Sequence, residues 1–304
     1  MDKYGFLFAG QGSQYVGMGK DLCEAFPESK AVFEKAEETL GLDLRKLCFD
    51  GPEASLKPTN VSQPAIVSVT LAAFEAFQAQ HNIKPAFAAG LSLGEYSALI
   101  ALRAFEFKNG MKLIHKRGRI MEEAAQKRPG KMVVILDLSM DRVRDICRKT
   151  ESEIANLNAP GQIVISGFAE NVEMAKVRCL AAGAKKAIDL PVSGGFHSLL
   201  MFEASGALKK ILDDLPMFMP KAPVISNYTA LPMYRTADIK LNLVYQIYSA
   251  VRWEESMRYM LSQGVTKFIE FGPGKVLRGL MRKIEPSAQV FNIEKAADIA
   301  NFVK

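Results

Sequence analysis

The segment Gly90-Leu91-Ser92-Leu93-Gly94 constrains this chain more than any other stretch. It is a G-x-S-x-G pattern in a telling setting. The apolar run 85–89 precedes it and predicts a buried strand, and residues 95–102 have helix-forming composition. A serine at a sharp strand-to-helix turn holds its hydroxyl above the sheet edge. The glycines permit the tight backbone and the close approach of strand to helix. The amide of Leu93, at the helix N-terminus, faces a developing oxyanion. A plain glycine-rich turn with an incidental serine would share the five letters. The flanking strand and helix favour a nucleophile.

Composition narrows the class. A chain of 304 residues holds one large domain or two unequal ones. Its 49% hydrophobic and 24% charged content is that of a globular protein. No apolar run approaches the ~20 residues that span a bilayer, so no membrane partner is expected. Residues 1–8 lack a basic n-region and read as an early strand rather than a signal peptide. Cys23, Cys48, Cys147 and Cys179 are widely spaced and form no metal-ligand pair, which points to reduced thiols, a cytoplasmic protein and no metal. The net charge of +6 favours an acidic partner. No basic run interleaves with stacking aromatics, so nucleic acid is not expected.

Periodicity organises the chain into one main domain with an insertion. Strand-like residues 4–8 lead into a glycine-rich loop, 9–14, and helical patterns follow over 21–40 and 61–77. A basic helix is predicted over 108–126. Then the texture changes. Strands at 131–136, 154–158, 162–167 and 184–190 alternate with helices at 140–149 and 169–182 in the βαββαβ order of a ferredoxin-like unit. Toward the end come a strand at 265–271 and a helix at 276–283. The expected fold class is α/β, with a large α/β-hydrolase-like domain (1–127 and 192–304) and an inserted ferredoxin-like small subdomain (128–191).

A serine nucleophile needs a base, and the chain has only His81, His115 and His197. His81 sits in a polar loop and His115 among lysines on a helix. His197 lies in a glycine-rich loop leading to a helix, where catalytic groups concentrate. An incidental histidine near a helix start is the competing reading. Asp137 and Asp189, the acids between serine and histidine that could complete a triad, fall in strands of the insertion. A Ser–His dyad oriented by a neutral acceptor is therefore expected. Arg117, on the 108–126 helix, is either a solvated surface residue or a clamp for a substrate carboxylate, since its planar fork binds both oxygens.

Taken in order, these motifs resemble the malonyl-CoA:acyl-carrier-protein transacylases, the acyltransferases of type II fatty-acid synthesis. The resemblance runs through Phe8-Ala9-Gly10-Gln11-Gly12-Ser13-Gln14, the elbow 90–99, Arg117-Gly118-Arg119-Ile120-Met121, the hairpin 156–167, Phe196-His197-Ser198-Leu199-Leu200-Met201, Gln246 and the run 271–280. It implies that Ser92 is acylated by malonyl-CoA and that His197 is general base, then general acid. It implies an oxyanion hole from the amides of Gln11 and Leu93, imidazole orientation by an oxygen around Gln246, and Arg117 on the malonyl carboxylate. Phe196 resembles the form of the motif that selects malonyl over branched units. Asn156, Asn158 and Gln162 shape the cleft. No cofactor is implied. The partners implied are malonyl-CoA and an acidic acyl carrier protein with its phosphopantetheine arm, acting on a monomer.

Three positions depart from the family. Leu91 replaces a usual histidine, which makes the pocket beside Arg117 more apolar. Gly195 replaces a proline or alanine and is expected to loosen the His197 loop. Arg103 with Phe105-Glu106-Phe107 replaces a small turn. Two other classes share parts of the pattern. An esterase would share elbow and base but gain nothing from Arg117. A binding-only relative would have no use for an intact Ser92, His197 and Arg117.

Overall fold

The computed structural model describes residues 3–192 and 194–303. Ser193 of the base loop and Met1 and Asp2 of the N-terminal stretch lie outside it. The strands are β1 (Tyr4–Phe8), β2 (Pro85–Gly90), β3 (Gly130–Leu136), β4 (Glu153–Ala159), β5 (Gln162–Phe168), β6 (Lys186–Asp189), β7 (Val224–Ile225), β8 (Pro232–Met233), β9 (Lys267–Phe271) and β10 (Gln289–Ile293). The first helices are α1 (Lys20–Ala25), α2 (Pro27–Leu40), α3 (Leu44–Asp50), α4 (Thr59–His81), α5 (Leu93–Ala101) and α6 (Phe107–Lys127). They are followed by α7 (Met140–Thr150), α8 (Ala169–Ala181), α9 (Phe202–Asp214), α10 (Thr236–Gln246), α11 (Trp253–Ser262), α12 (Val276–Ile284) and α13 (Ala296–Ala300).

The larger sheet runs β10-β9-β1-β2-β7-β8. All its pairs are parallel except β7 with β8. A parallel sheet is covered on both faces, so its strands read as continuous apolar runs. Every residue of β1 is buried. Phe6 and Phe8 meet Phe74 of α4 and Phe271 of β9 at ring-centroid distances of 5.1–6.1 Å. The single helix expected over 21–40 is two. Phe26 is extended and Pro27 opens α2, a first-turn position where a proline's missing N–H costs nothing.

The second sheet, β4-β5-β3-β6, is antiparallel throughout. Side chains alternate between its faces. Val133, Ile135, Ile163 and Ile165 pack with Val143 of α7 and with Val172 and Cys179 of α8. Met132, Val134 and Val164 face the other way, into a cleft shared with the larger sheet. The smaller sheet is tied to the segment just before α11, where Leu157 N donates to Val251 O at 2.9 Å and Val251 N donates to Ala155 O at 2.8 Å.

In parallel α/β sheets, ligands bind outside the carboxyl ends of the strands. The carboxyl ends of β1, β2 and β9 carry the Gln11 loop, Ser92 and the turn into α12. All three reach one cavity of about 300 Å³, which the small sheet closes from the opposite side.

Candidate active site

Ser92 sits between β2 and α5 with φ 51° and ψ −98°, a conformation that non-glycine residues rarely hold. The neighbouring glycines make it possible by close approach. A Cβ on Gly90 would lie 2.0 Å from the carbonyl carbon of Gly94, and one on Gly94 would lie 2.1 Å from Phe8 O. Asn227, buried in the loop after β7, holds the turn from outside. The Ser92 amide donates to Asn227 Oδ1 at 2.6 Å, and Asn227 Nδ2 donates to Gly90 O at 2.8 Å.

The Ser92 hydroxyl lies 2.8 Å from Nε2 of His197. His197 is itself at φ 58° and is buried. Its Nδ1 stands 2.8 Å from the backbone carbonyl of Gln246. A carbonyl only accepts, so Nδ1 carries the proton and Nε2 presents its lone pair to the serine. Burial, and then the positive charge of Arg117, push the imidazole pKa down to about 4. At neutral pH it is an uncharged base. Gly195 in this loop lies in close contact with its neighbours. A Cβ there would meet Leu200 Cδ1 at 2.7 Å and Gly167 O at 3.0 Å. The glycine lets the loop press against β5.

Arg117 is one of the largest fully buried side chains. It falls within the apolar stripe Ile114, Gly118 and Met121 of α6, whereas Lys116 and Arg119 point outward. Arg119 pairs with Glu123 at 3.5 Å on the surface. The Arg117 guanidinium lies over the Tyr96 ring at 4.8 Å. Its Nη2 donates to Ser92 Oγ at 3.2 Å and to Gln246 Oε1 at 3.1 Å. Both acceptors are neutral, and the buried Nε has no partner among the described residues. A buried guanidinium whose hydrogen-bond acceptors are neutral oxygens leaves room for a charged acceptor such as a carboxylate.

The remaining expected residues line the same cavity or adjoin it. Gln11, Leu91, Phe196, Asn156, Asn158 and Gln162 are on its wall. Leu93 is the first residue of α5, and a first-turn amide has no acceptor within its own helix. The Leu91 side chain packs into the apolar cluster that contains Trp253 and Leu277. His81 Nε2 donates to Ile299 O at 2.9 Å, and the ring packs on Phe77 and Phe302, a structural setting.

Three residues of the site escaped the sequence reading. Asn227 braces the elbow. Gln63 of α4, fully buried, donates to Gln11 Oε1 at 3.3 Å. Glu95, fully buried in the first turn of α5, accepts at Oε2 from Gln246 Nε2 at 2.7 Å and from Asn227 N at 3.1 Å. An acid in an otherwise apolar helix was a usable signal for Glu95. Asn227 and Gln63 carried none.

Comparison with known proteins identifies the family and the fold. Residues 5–299 match the acyl transferase domain family. A malonyl CoA-acyl carrier protein transacylase of Bacillus subtilis is 46% identical, with 93% of this chain and 91% of that protein aligned. The crystal structure of an acyl carrier protein S-malonyltransferase from Vibrio cholerae superposes with a TM-score of 0.95 at 39% identity, covering 98% of this chain and 99% of that one. A malonyl-transacylase solved in complex with its type II polyketide-synthase acyl-carrier protein superposes with a TM-score of 0.96 at 36% identity, covering 98% of both chains.

Proposed function

The chain belongs to the acyl transferase family, among the malonyl CoA-acyl carrier protein transacylases, and we propose that it moves malonyl from malonyl-CoA to the phosphopantetheine thiol of an acyl carrier protein through a malonyl-serine. One observation carries the reading. Ser92 Oγ lies within 2.8 Å of a neutral imidazole and 3.2 Å of a buried guanidinium whose partners are neutral.

In the first half-reaction the malonyl carboxylate pairs with Arg117, which sets the thioester carbonyl beside Ser92. Nε2 of His197 takes the hydroxyl proton as Oγ bonds to the carbonyl carbon. The amides of Gln11 and Leu93 receive the oxyanion. Collapse breaks the C–S bond, and coenzyme A leaves as a thiol with the proton from His197. In the second half-reaction His197 takes the carrier thiol's proton, sulfur attacks the ester carbonyl, and Ser92 departs with that proton. The Gln246 carbonyl keeps the imidazole tautomer correct in both halves. The same chemistry requires no cofactor, and we place the enzyme in the cytoplasm.

Ser92→Ala should fold normally and gain no mass on exposure to malonyl-CoA, whereas wild type should gain one malonyl group. Initial rates should give parallel double-reciprocal lines for the two substrates. An adduct on the alanine variant, or release of free malonate at a rate independent of the carrier, would refute the assignment.

A further inference from the structure

Among the described residues, Glu95 is the one buried acid at the site that the proposed chemistry leaves without a task. It is fully buried, yet it touches neither the base nor the clamp directly. Instead one oxygen, Oε2, accepts from two groups that reach it from distant parts of the chain. The Gln246 side-chain amide comes from α10, and the Asn227 amide comes from the loop after β7. Each of these groups holds part of the site. Asn227 pins the strained Ser92 turn through both of its side-chain atoms. Gln246 is a hub. Its backbone oxygen orients His197, its Oε1 accepts from Arg117, and its Nε2 donates to Ser92 O at 3.0 Å as well as to Glu95.

An amide side chain can point either way round, and its network decides which. At Gln246 the acceptors Glu95 Oε2 and Ser92 O lie on one side and the donor Arg117 on the other. Turned over, Gln246 would set its NH2 against the guanidinium and its oxygen against two acceptors.

We propose that Glu95 is a positioning residue whose Oε2, by accepting from both Gln246 and Asn227, fixes the serine turn, the imidazole and the guanidinium in one mutual geometry. The role depends on the reach of an acceptor oxygen and not on the negative charge. The inference rests on the malonyl-transfer reading above.

The reach and the charge can be separated by two conservative variants. Glu95→Gln keeps an oxygen at the same reach and drops the charge. Glu95→Asp keeps the charge and withdraws the oxygen by one methylene. The measurement is pre-steady-state acylation of Ser92 by malonyl-CoA and by acetyl-CoA, with the thermal midpoint of each variant. A misplacement of about 1 Å at a reacting centre costs on the order of 100-fold. Glu95→Asp should therefore lose about 10- to 100-fold with malonyl-CoA, and less with acetyl-CoA, because only malonyl uses the Arg117 held by Gln246. Glu95→Gln should stay within about fivefold of wild type with both thioesters, since a neutral oxygen still accepts both bonds. A merely structural role would lower thermal midpoints and leave the malonyl-to-acetyl ratio alone. An unchanged ratio in Glu95→Asp, or a larger loss in Glu95→Gln than in Glu95→Asp, overturns the proposal. If wild type itself acquires no acyl group on Ser92, the malonyl-transfer reading fails instead.

Discussion

The charge of Arg117 acts both on the neutral His197 and on the substrate, and it makes opposite demands on the two thioesters. A carboxylate paired with the guanidinium is buried with it, so truncating Arg117 to alanine leaves that carboxylate desolvated and unpaired. The cost for malonyl-CoA should be about 2–5 kcal/mol. Acetyl-CoA has no carboxylate to lose. Self-acylation measured with both should show malonyl collapsing and acetyl holding or rising, and Arg117→Lys should also be impaired because a point charge does not replace the fork. An equal fall for both thioesters would make Arg117 structural. The imidazole supplies a second reading of the same contact. Only neutral His197 can take the serine proton, and burial together with Arg117 lowers its pKa to about 4. The acid limb of kcat/KM for self-acylation should then lie near pH 4, not near the ordinary value of about 6.5. With acetyl-CoA as substrate, Arg117→Ala removes one cause of the depression, so the limb should move to higher pH. A limb that stays in place would show that Arg117's charge does not reach the imidazole. Ser92, His197 and Arg117 could be named from the sequence because each sits in a local pattern: an elbow, a glycine-rich loop, a helix face. Asn227 and Gln246 reach Glu95 across 132 and 151 residues, a juxtaposition that no local pattern records.

Helix α12 shows how an element is set by a residue outside it. Its Val276 and Leu280 line the cleft, so its placement shapes the site. The sequence shows where it begins, at Gly272-Pro273-Gly274-Lys275, but not what caps it. Glu270, buried at the end of β9, accepts from Leu277 N and Arg278 N at 2.9 Å each, satisfying two first-turn amides that have no partner in the helix. Desolvation raises the Glu270 pKa to about 7 despite those donors. The folded state holds the Glu270 proton up to about pH 7, while the unfolded chain releases it near the usual 4.5. The stability so contributed is present below pH 4.5 and is lost as pH rises to about 7, a loss on the order of 3 kcal/mol. Glu270→Gln cannot titrate. Chemical denaturation at pH 5 and pH 8 should show wild type losing more stability across that interval than the variant does. Equal losses would mean that Glu270 titrates alike in both states. Helix α6 was readable from its apolar spacing, and α4 and β1 from continuous apolar runs. Strands β7 and β8, two residues each, are too short to have a period, yet β7 leads to the Asn227 loop.

At the scale of the whole molecule, two sheets make the cleft and the surface charge governs who reaches it. The βαββαβ order of the smaller sheet could be read from alternating strands and helices. The order of the larger sheet could not, because β1 lies between β2 and β9, strands far from each other in sequence. The net charge of +6 was equally plain, but its placement needed the fold. Helix α12 turns Val276 and Leu280 to the cleft. Lys275, Arg278 and Arg282 line a separate surface cavity of about 510 Å³. A basic flank on the helix that lines the cleft is expected to steer an acidic carrier protein. Acyl carrier proteins are acidic as a class, whereas self-acylation needs only the small thioester. Raised salt screens exposed charges beyond about 8–10 Å, so it should slow malonyl transfer to the carrier more than acylation of Ser92 by malonyl-CoA. Arg282→Glu should imitate salt at low ionic strength, raising KM for the carrier and leaving the acylation burst intact. Both rates are measured in one stopped-flow series at increasing sodium chloride. If carrier transfer proves indifferent to salt and to the charge reversal, steering by this flank is excluded, and carrier recognition must rest on apolar contacts at the cleft mouth.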